Sequence, residues 1–158
     1  MSPRVYLETS IISYLVGWLN PTNLLVAHNQ EFTRDWWSRS RGAFALYSSA
    51  VAAGELGRGE IARANERLAF LSGVTMLDVN ESSLALAVEL LGRTRIPQSA
   101  QVDALHVAVA AVHGMDYLLS WNCKHIVNAV ILPQVYAVCR DEGFEPPFIC
   151  TPRELVGV

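Results

Sequence analysis

Five polar side chains stand at positions from which they could do chemistry together. Glu8 directly follows the first predicted strand, and Ser120 and Asn122 follow the fourth. Glu55 and Asp103 lie in the first turns, or soon after, of two helices that start from the same edge of the predicted sheet. Because ligands of an open parallel sheet gather at the carboxyl ends of its strands, we expect these oxygen-bearing groups to converge there.

Three of these groups are carboxylates, and their convergence requires a counter-charge. Clustered carboxylates repel one another unless a cation joins them, and a hard divalent ion such as Mg²⁺ or Mn²⁺ prefers oxygen ligands of this kind. Such a site predicts metal-assisted hydrolysis of a phosphodiester bond. Taken singly, each carboxylate also has a structural interpretation, since acidic residues stabilise helix N-termini as caps or through the helix dipole.

Histidine and lysine side chains near these groups are further candidates. His106 follows Asp103 by three residues on one helix face. It could contact a substrate phosphate or form a hydrogen bond in the core, and the core role is favoured. Lys124 and His125 could contact phosphate or could form a solvated turn. A zinc site built from His106, His125 and Cys123 is disfavoured because it has no recognised ligand spacing.

Alternating strands and helices must position these residues. Short apolar runs predict five strands, at residues 5–7, 44–48, 74–77, 117–120 and 148–150. Apolar residues at helical spacing predict helices that include residues 11–16, 24–37, 51–56, 60–72, 81–91, 103–114 and 133–142. Thr9 or Ser10 offers an N-cap for the first helix, Ser49 caps the third, and residues 151–154 have the pattern of a capping box. Apolar strands that alternate with helices predict a parallel sheet covered on both faces.

Length and composition restrict the class of protein. The 158 residues are 51% hydrophobic and 17% charged, which excludes a disordered chain and predicts a single domain over residues 1–158. An average soluble domain has roughly 25% charged residues, so this chain has little charge to cover its surface. We therefore expect part of its apolar surface to be covered by a second copy, in a homodimer, or by another partner.

Charge and cysteine content exclude further classes. The net charge is −3, so the chain has no general basic coat for nucleic acid, and any phosphate binding must be local. Three widely spaced cysteines, Cys123, Cys139 and Cys150, are typical of reduced thiols in a cytoplasmic protein. No apolar run approaches the ~18 uncharged residues that a membrane span needs.

Four blocks of the sequence resemble those of a known family. The segment VYLETSIISYL, at residues 5–15, resembles the opening VYLDTSxISYL of PIN-domain proteins, a nuclease family that includes the VapC toxins of bacterial toxin–antitoxin pairs. A second block, at residues 48–71, is similar to the one in which a helix supplies an acidic residue. The blocks DALHVAVAA and GMDYLLSWNCKHI look like the third and fourth, the latter in a branch with WNCKH.

The resemblance implies both a fold and an activity. The fold is a three-layer α/β/α arrangement with a central, mostly parallel sheet of about five strands. The activity is that of an endoribonuclease dependent on Mg²⁺ or Mn²⁺, in which a metal-activated water attacks an RNA phosphodiester bond. The implied partners are RNA, a second copy of the chain and an antitoxin protein.

The resemblance also assigns roles to residues of this chain. It implies metal ligands at Glu8, Glu55 and Asp103, with Asn122 at the fourth catalytic position. Ser120 matches a Ser or Thr that could position a water or a phosphate oxygen. We expect the remaining substrate contacts from His106, Lys124 and His125.

Glu8 departs from the pattern, because the family has Asp at this position. Glu is longer by one methylene group, about 1.5 Å. Two hypotheses therefore remain: an active ribonuclease, or a catalytically weakened PIN-like module that binds RNA or a protein. Restored activity in Glu8→Asp would favour the second. A third hypothesis, a phosphoacceptor regulator with Asp78 as acceptor, is disfavoured because the first strand ends in one acidic residue and not a pair.

Overall fold

Five short strands form one parallel sheet in the computed structural model, which describes residues 1–156. They are β1 (Arg4–Leu7), β2 (Ala45–Ser49), β3 (Thr75–Leu77), β4 (Tyr117–Leu119) and β5 (Phe148–Cys150). Their order across the sheet is β3-β2-β1-β4-β5, and every neighbouring pair is parallel. Each predicted strand is present, and the bounds of all five differ from the prediction by one residue at most.

Seven helices cover the sheet within residues 1–156. They are α1 (Thr9–Leu15), α2 (Leu24–Arg39), α3 (Ala50–Leu56), α4 (Ile61–Ala69), α5 (Glu81–Arg93), α6 (Gln101–Val112) and α7 (Leu132–Asp141). Two single 3-10 turns, Arg41–Ala43 and Phe70–Gly73, lead into β2 and β3. None of the described helices is long and apolar enough to cross a membrane.

The alternation of side chains along the strands divides the core into two layers. In β1, Tyr6 packs with α5, α6 and α7, whereas Val5 and Leu7 pack with α1, α2 and α3. The same division appears in β4, where Leu118 and Leu119 belong to opposite layers. The predicted three-layer α/β/α fold with a parallel five-stranded sheet is therefore confirmed.

The strand order places a crevice beside β1. After β1 the chain builds outward to β2 and β3, and it then returns to add β4 on the other side of β1. Leu7 pairs in register with Leu119, and the backbone N–H of Glu8 donates to the carbonyl of Leu119 at 3.1 Å. The first residues after β1 and β4 therefore leave the sheet side by side, where doubly wound sheets bind their ligands.

The observed helix N-caps agree with those predicted from the sequence at some positions and differ at others. Ser49 caps α3 by accepting from the backbone N–H of Val51 at 3.2 Å, as predicted. The predicted cap of α1 is wrong, because Glu8 occupies the N-cap position and Thr9 and Ser10 lie inside the helix. The capping box at residues 151–154 forms only a single turn. The chain leaves this turn so that the carbonyl of Leu155 accepts from the indole of buried Trp36 at 2.6 Å.

Helix α6 is buried almost all round, and small residues make this possible. Ala104, Ala108 and Ala110 are each fully buried, between the sheet and α5. A methyl group at these positions lets the helix lie close to its neighbours without a void. The first turn of this helix carries Asp103, so its close packing fixes one wall of the crevice.

We expect Ala108→Leu to destabilise the protein by about 1–3 kcal/mol, because added carbon atoms force side chains or backbone to shift in a filled core. The free energy of unfolding in urea measures the effect. Ala62→Leu, on the exposed face of α4, is the matched control and should change stability by less than about 0.5 kcal/mol. Equal stability of the two variants would contradict the packing of α6.

Candidate functional site

Glu8 lies at the carboxyl end of β1 and is only 5% exposed. Its Oε1 accepts two hydrogen bonds, from the hydroxyl of Ser10 at 2.5 Å and from the hydroxyl of Ser120 at 2.6 Å. Ser120 in turn accepts from the backbone N–H of Asn122 at 2.9 Å. No group within residues 1–156 donates to Oε2 of Glu8, and this atom keeps contact with solvent.

Glu55 reaches the same crevice from the last turn of α3. Its Oε1 also accepts two hydrogen bonds, from the hydroxyl of Thr9 at 2.5 Å and from Nε2 of His106 at 2.6 Å. Burial alone would raise the pKa of Glu55, but the hydrogen bonds from His106 and Thr9, together with the charge of Arg58, outweigh burial and lower the pKa. Glu55 is therefore held as a carboxylate.

Glu8, Glu55 and His106 form the one cluster of metal-ligand types within the described part of the chain. One potential ligand atom from each lies within 4.8 Å of the other two. Both carboxylates are fixed in the same way, with Oε1 bound by two donors and Oε2 without a donor from residues 1–156. Two fixed carboxylates with unused oxygens fit a divalent cation, which would relieve their mutual repulsion.

Asp103 lies nearby on α6 but outside this cluster. Its Oδ2 is 2.9 Å from Nδ1 of His125, which approaches from the loop after β4. The sequence predicted that Glu8, Glu55 and Asp103 would converge. The structure brings the two glutamates together and places Asp103 beside His125, within hydrogen-bond distance of its imidazole.

Asn122 and Lys124 belong to the turn that presents His125. The Oδ1 of Asn122 accepts from the backbone N–H of His125 at 3.0 Å, so its side chain caps this turn. The carbonyl of Lys124 accepts from the side chain of Asn128 at 3.0 Å, while its ammonium group is exposed and has no ion pair within the described residues. Asn122 therefore stabilises the turn that carries His125, and Lys124 lies at the exposed edge, or rim, of the site.

Two of the expected substrate contacts, His106 and Ser120, are buried in this structure. His106 is fully buried, with Nδ1 bonded to the hydroxyl of Tyr6 at 2.7 Å and Nε2 bonded to Glu55. Ser120 is also fully buried, and its hydroxyl is committed to Glu8. Neither side chain has a surface that a substrate could reach, and both instead hold the carboxylates. The core position of His106, favoured from the sequence, is the one observed.

Thr9 and Ser10 belong to the candidate site, and the sequence interpretation missed them. They were expected to cap α1, but Thr9 donates to Glu55, and Ser10 donates to Glu8 while accepting from the backbone N–H of Trp121 at 2.8 Å. Their position directly after Glu8, at the carboxyl end of the first strand, is the signal that could have identified them.

Comparison with known proteins identifies the family. A family model described as PIN domain matches residues 5–122, about three quarters of the chain. This chain belongs to the PIN domain family. The matched segment extends from the second residue of β1 to beyond β4 and includes both glutamates of the cluster. No curated protein matches the chain in sequence.

Solved structures with the same fold extend the likeness beyond the matched segment. VapBC-1 from nontypeable Haemophilus influenzae has a TM-score of 0.56 at 16% identity, over 95% of this chain and 98% of that chain. VapBC2 from Rickettsia felis, bound to a DNA fragment from its promoter, has a TM-score of 0.54 at 15% identity, over 94% and 98%. VapC20 from Mycobacterium tuberculosis, a toxin that cleaves the sarcin-ricin loop, has a TM-score of 0.54 at 20% identity, over 72% and 86%. These likenesses concern the PIN fold.

The lowered pKa of Glu55 predicts how the stability of this PIN domain depends on pH. A carboxyl group whose pKa is lower in the folded chain stabilises the fold above its unfolded pKa, and this contribution is lost as the pH falls through the folded value. The stability difference between wild type and Glu55→Gln should therefore be largest near neutral pH and should shrink below the ordinary glutamate value of 4.5.

Urea unfolding in EDTA, at neutral pH and at about pH 4, measures this difference. Glu60→Gln is the matched control, since Glu60 is exposed and forms a surface ion pair with Arg63. A Glu55→Gln difference that grows on acidification would contradict the assignment of Glu55 as the stabilised carboxylate.

Proposed function

We propose that this PIN domain is a ribonuclease that depends on Mg²⁺ or Mn²⁺ and hydrolyses internal phosphodiester bonds of RNA. The observation that carries the proposal is the pair of carboxylates at the crevice, each anchored through Oε1 and each with Oε2 unused. Carboxylate oxygens fixed in this way suit a hard divalent ion that retains several waters. The PIN family match supports nuclease chemistry at this position of the fold.

Glu8 and Glu55 would hold the ion, and the surrounding donors keep both carboxylates in place. When bound, a divalent ion supplies a water of lowered pKa and stabilises the charge that develops on the phosphate. Asp103, one fifth exposed and paired with His125, would face the substrate across the crevice. Lys124 and His125 lie at the rim, where their positive or donor groups suit phosphate oxygens.

The site accommodates the extra methylene group of Glu8, because the donors around its carboxylate lie at the distance that a glutamate side chain reaches. The side chain reaches both Ser10 and Ser120, and its carboxylate lies in the same cluster as Glu55. A shorter Asp would withdraw the carboxylate by about 1.5 Å and lose at least one of these donors. This geometry favours an active ribonuclease over the weakened module that binds RNA or protein without cleaving it.

We further propose that the chain, as one domain, is the toxin of a toxin–antitoxin pair in the cytoplasm. Three solved structures of the same fold are a VapC toxin and two VapBC complexes. Large apolar side chains on the loop after α1 and on α2 and α4 are exposed, among them Trp18, Leu24 and Ile61. Such exposure supports an antitoxin partner, and the exposed Leu84 and Val88 of α5 support a homodimer.

Cleavage of a mixed RNA pool by the purified protein tests the ribonuclease. We expect cleavage with Mn²⁺ or Mg²⁺ and none with EDTA. Glu55→Gln, Glu8→Gln and Asp103→Asn should each lower the rate at least about 100-fold, equivalent to about 2.7 kcal/mol. Glu31→Gln, an exposed carboxylate on α2, is the control that should leave the rate unchanged.

Glu8→Asp separates the two hypotheses for this site. If the positions of the Ser10 and Ser120 hydroxyls suit the length of a glutamate, the Glu8→Asp variant should cleave RNA more slowly than wild type. An inactive wild-type protein together with an active Glu8→Asp variant would instead establish the weakened module. Cleavage that persists in EDTA would overturn the metal dependence.

A further inference from the structure

A buried chain of hydrogen bonds runs from the start of α3 through the core to Glu55. The hydroxyl of Tyr6 is 2.8 Å from Oγ of Ser49 and 2.7 Å from Nδ1 of His106. Nε2 of His106 is 2.6 Å from Oε1 of Glu55. Ser49, Tyr6 and His106 are all fully buried, so no water can replace any of these partners.

The donor-to-acceptor direction of this chain of hydrogen bonds follows from the number of protons in it. Ser49 accepts from the backbone N–H of Val51, and its own proton has one remaining partner, the oxygen of Tyr6. Tyr6 must then donate its proton to Nδ1 of His106, which leaves the imidazole proton on Nε2. That proton points at Glu55, where a carboxylate oxygen accepts it.

The reverse direction leaves two groups in unfavourable positions. If Nδ1 of His106 donated to Tyr6, Tyr6 would donate to Ser49, and the buried proton of Ser49 would have no acceptor. In a neutral imidazole of this form, the lone pair of Nε2 would face the carboxylate of Glu55 at 2.6 Å. A doubly protonated imidazole would also leave the Ser49 proton without a partner.

We propose that Tyr6 is a positioning residue of the candidate site, which selects the Nε2-protonated tautomer of His106 and thereby orients the carboxylate of Glu55. With Thr9, this tautomer donates to Oε1 and leaves Oε2 without a donor from residues 1–156. The effect on metal binding rests on the proposed function, whereas the tautomer does not.

The tautomer is measured directly by nitrogen NMR of protein labelled with ¹⁵N-histidine, without metal and without activity. In wild type we expect His106 to carry its proton on Nε2 and none on Nδ1. In Tyr6→Phe the donor to Nδ1 is lost, and the Nδ1-protonated form should become populated. A wild-type His106 protonated on Nδ1, or on both nitrogens, would overturn the inference.

Titration of the same proteins with Mn²⁺ gives the second readout. Tyr6→Phe should weaken Mn²⁺ binding about tenfold, as is typical when a residue that orients a metal ligand is removed. Ser49→Ala is the matched control, because it also breaks a buried hydrogen bond of Tyr6 but leaves Tyr6 able to donate to His106. Ser49→Ala should keep the wild-type tautomer and affinity, even though its fold is less stable.

A pair of conservative variants at His106 separates positioning from packing. The amide of His106→Gln can supply a donor near Nε2, whereas that of His106→Asn lies near Nδ1. Gln should therefore keep Mn²⁺ affinity within about threefold of wild type, and Asn should lose at least about tenfold. Equal losses of Mn²⁺ affinity in both variants would overturn the inference. A Tyr6→Phe variant with the wild-type tautomer and Mn²⁺ affinity would also overturn it. If wild type shows the expected tautomer but binds no Mn²⁺, the proposed function fails and the tautomer selection stands.

Discussion

The arrangement of this protein depends on holding two carboxylates close together in a partly buried crevice. Glu8 and Glu55 repel each other and lose solvent, so each needs donors that outweigh both costs. Four groups supply them: Ser10 and Ser120 bind Glu8, while Thr9 and His106 bind Glu55. Because each pair of donors binds only one oxygen, the other oxygen of each carboxylate remains available. The same hydrogen bonds therefore stabilise the crevice and leave one oxygen of each carboxylate free for the proposed cation.

The parallel sheet supplies these donors by its strand order. Glu8, Thr9 and Ser10 leave β1 beside Ser120, which follows the neighbouring strand β4. Helix α3, which begins directly after β2 on the other side of β1, brings Glu55 to the same edge. Groups from three adjacent strand ends therefore meet only because β1 lies at the centre of the sheet. The Ala-rich α6 completes the crevice, since its small residues allow His106 to reach Glu55 from within the core.

Much of this fold could be predicted from the sequence, because buried parallel strands appear as short apolar runs and helices as periodic ones. The convergence of the two glutamates could also be predicted, since Glu8 directly follows a strand and Glu55 lies on the helix after a neighbouring strand. The pairing of Asp103 with His125 could not, because it depends on how the loop after β4 folds over α6. The roles of Thr9 and Ser10 were missed for a related reason. Such residues suit an N-cap equally well, and only the tertiary approach of Glu55 decides which acceptor Thr9 finds.

A crystal structure of the protein soaked with Mn²⁺, with the ion located by its anomalous scattering, would show directly which residues hold the metal. We expect one ion held by the carboxylates of Glu8 and Glu55, with Oε1 of each still hydrogen-bonded to its two donors. Nε2 of His106 should stay hydrogen-bonded to Glu55 and should not be a ligand. An ion coordinated by His106, or one bound away from both glutamates, would exclude this arrangement of the site.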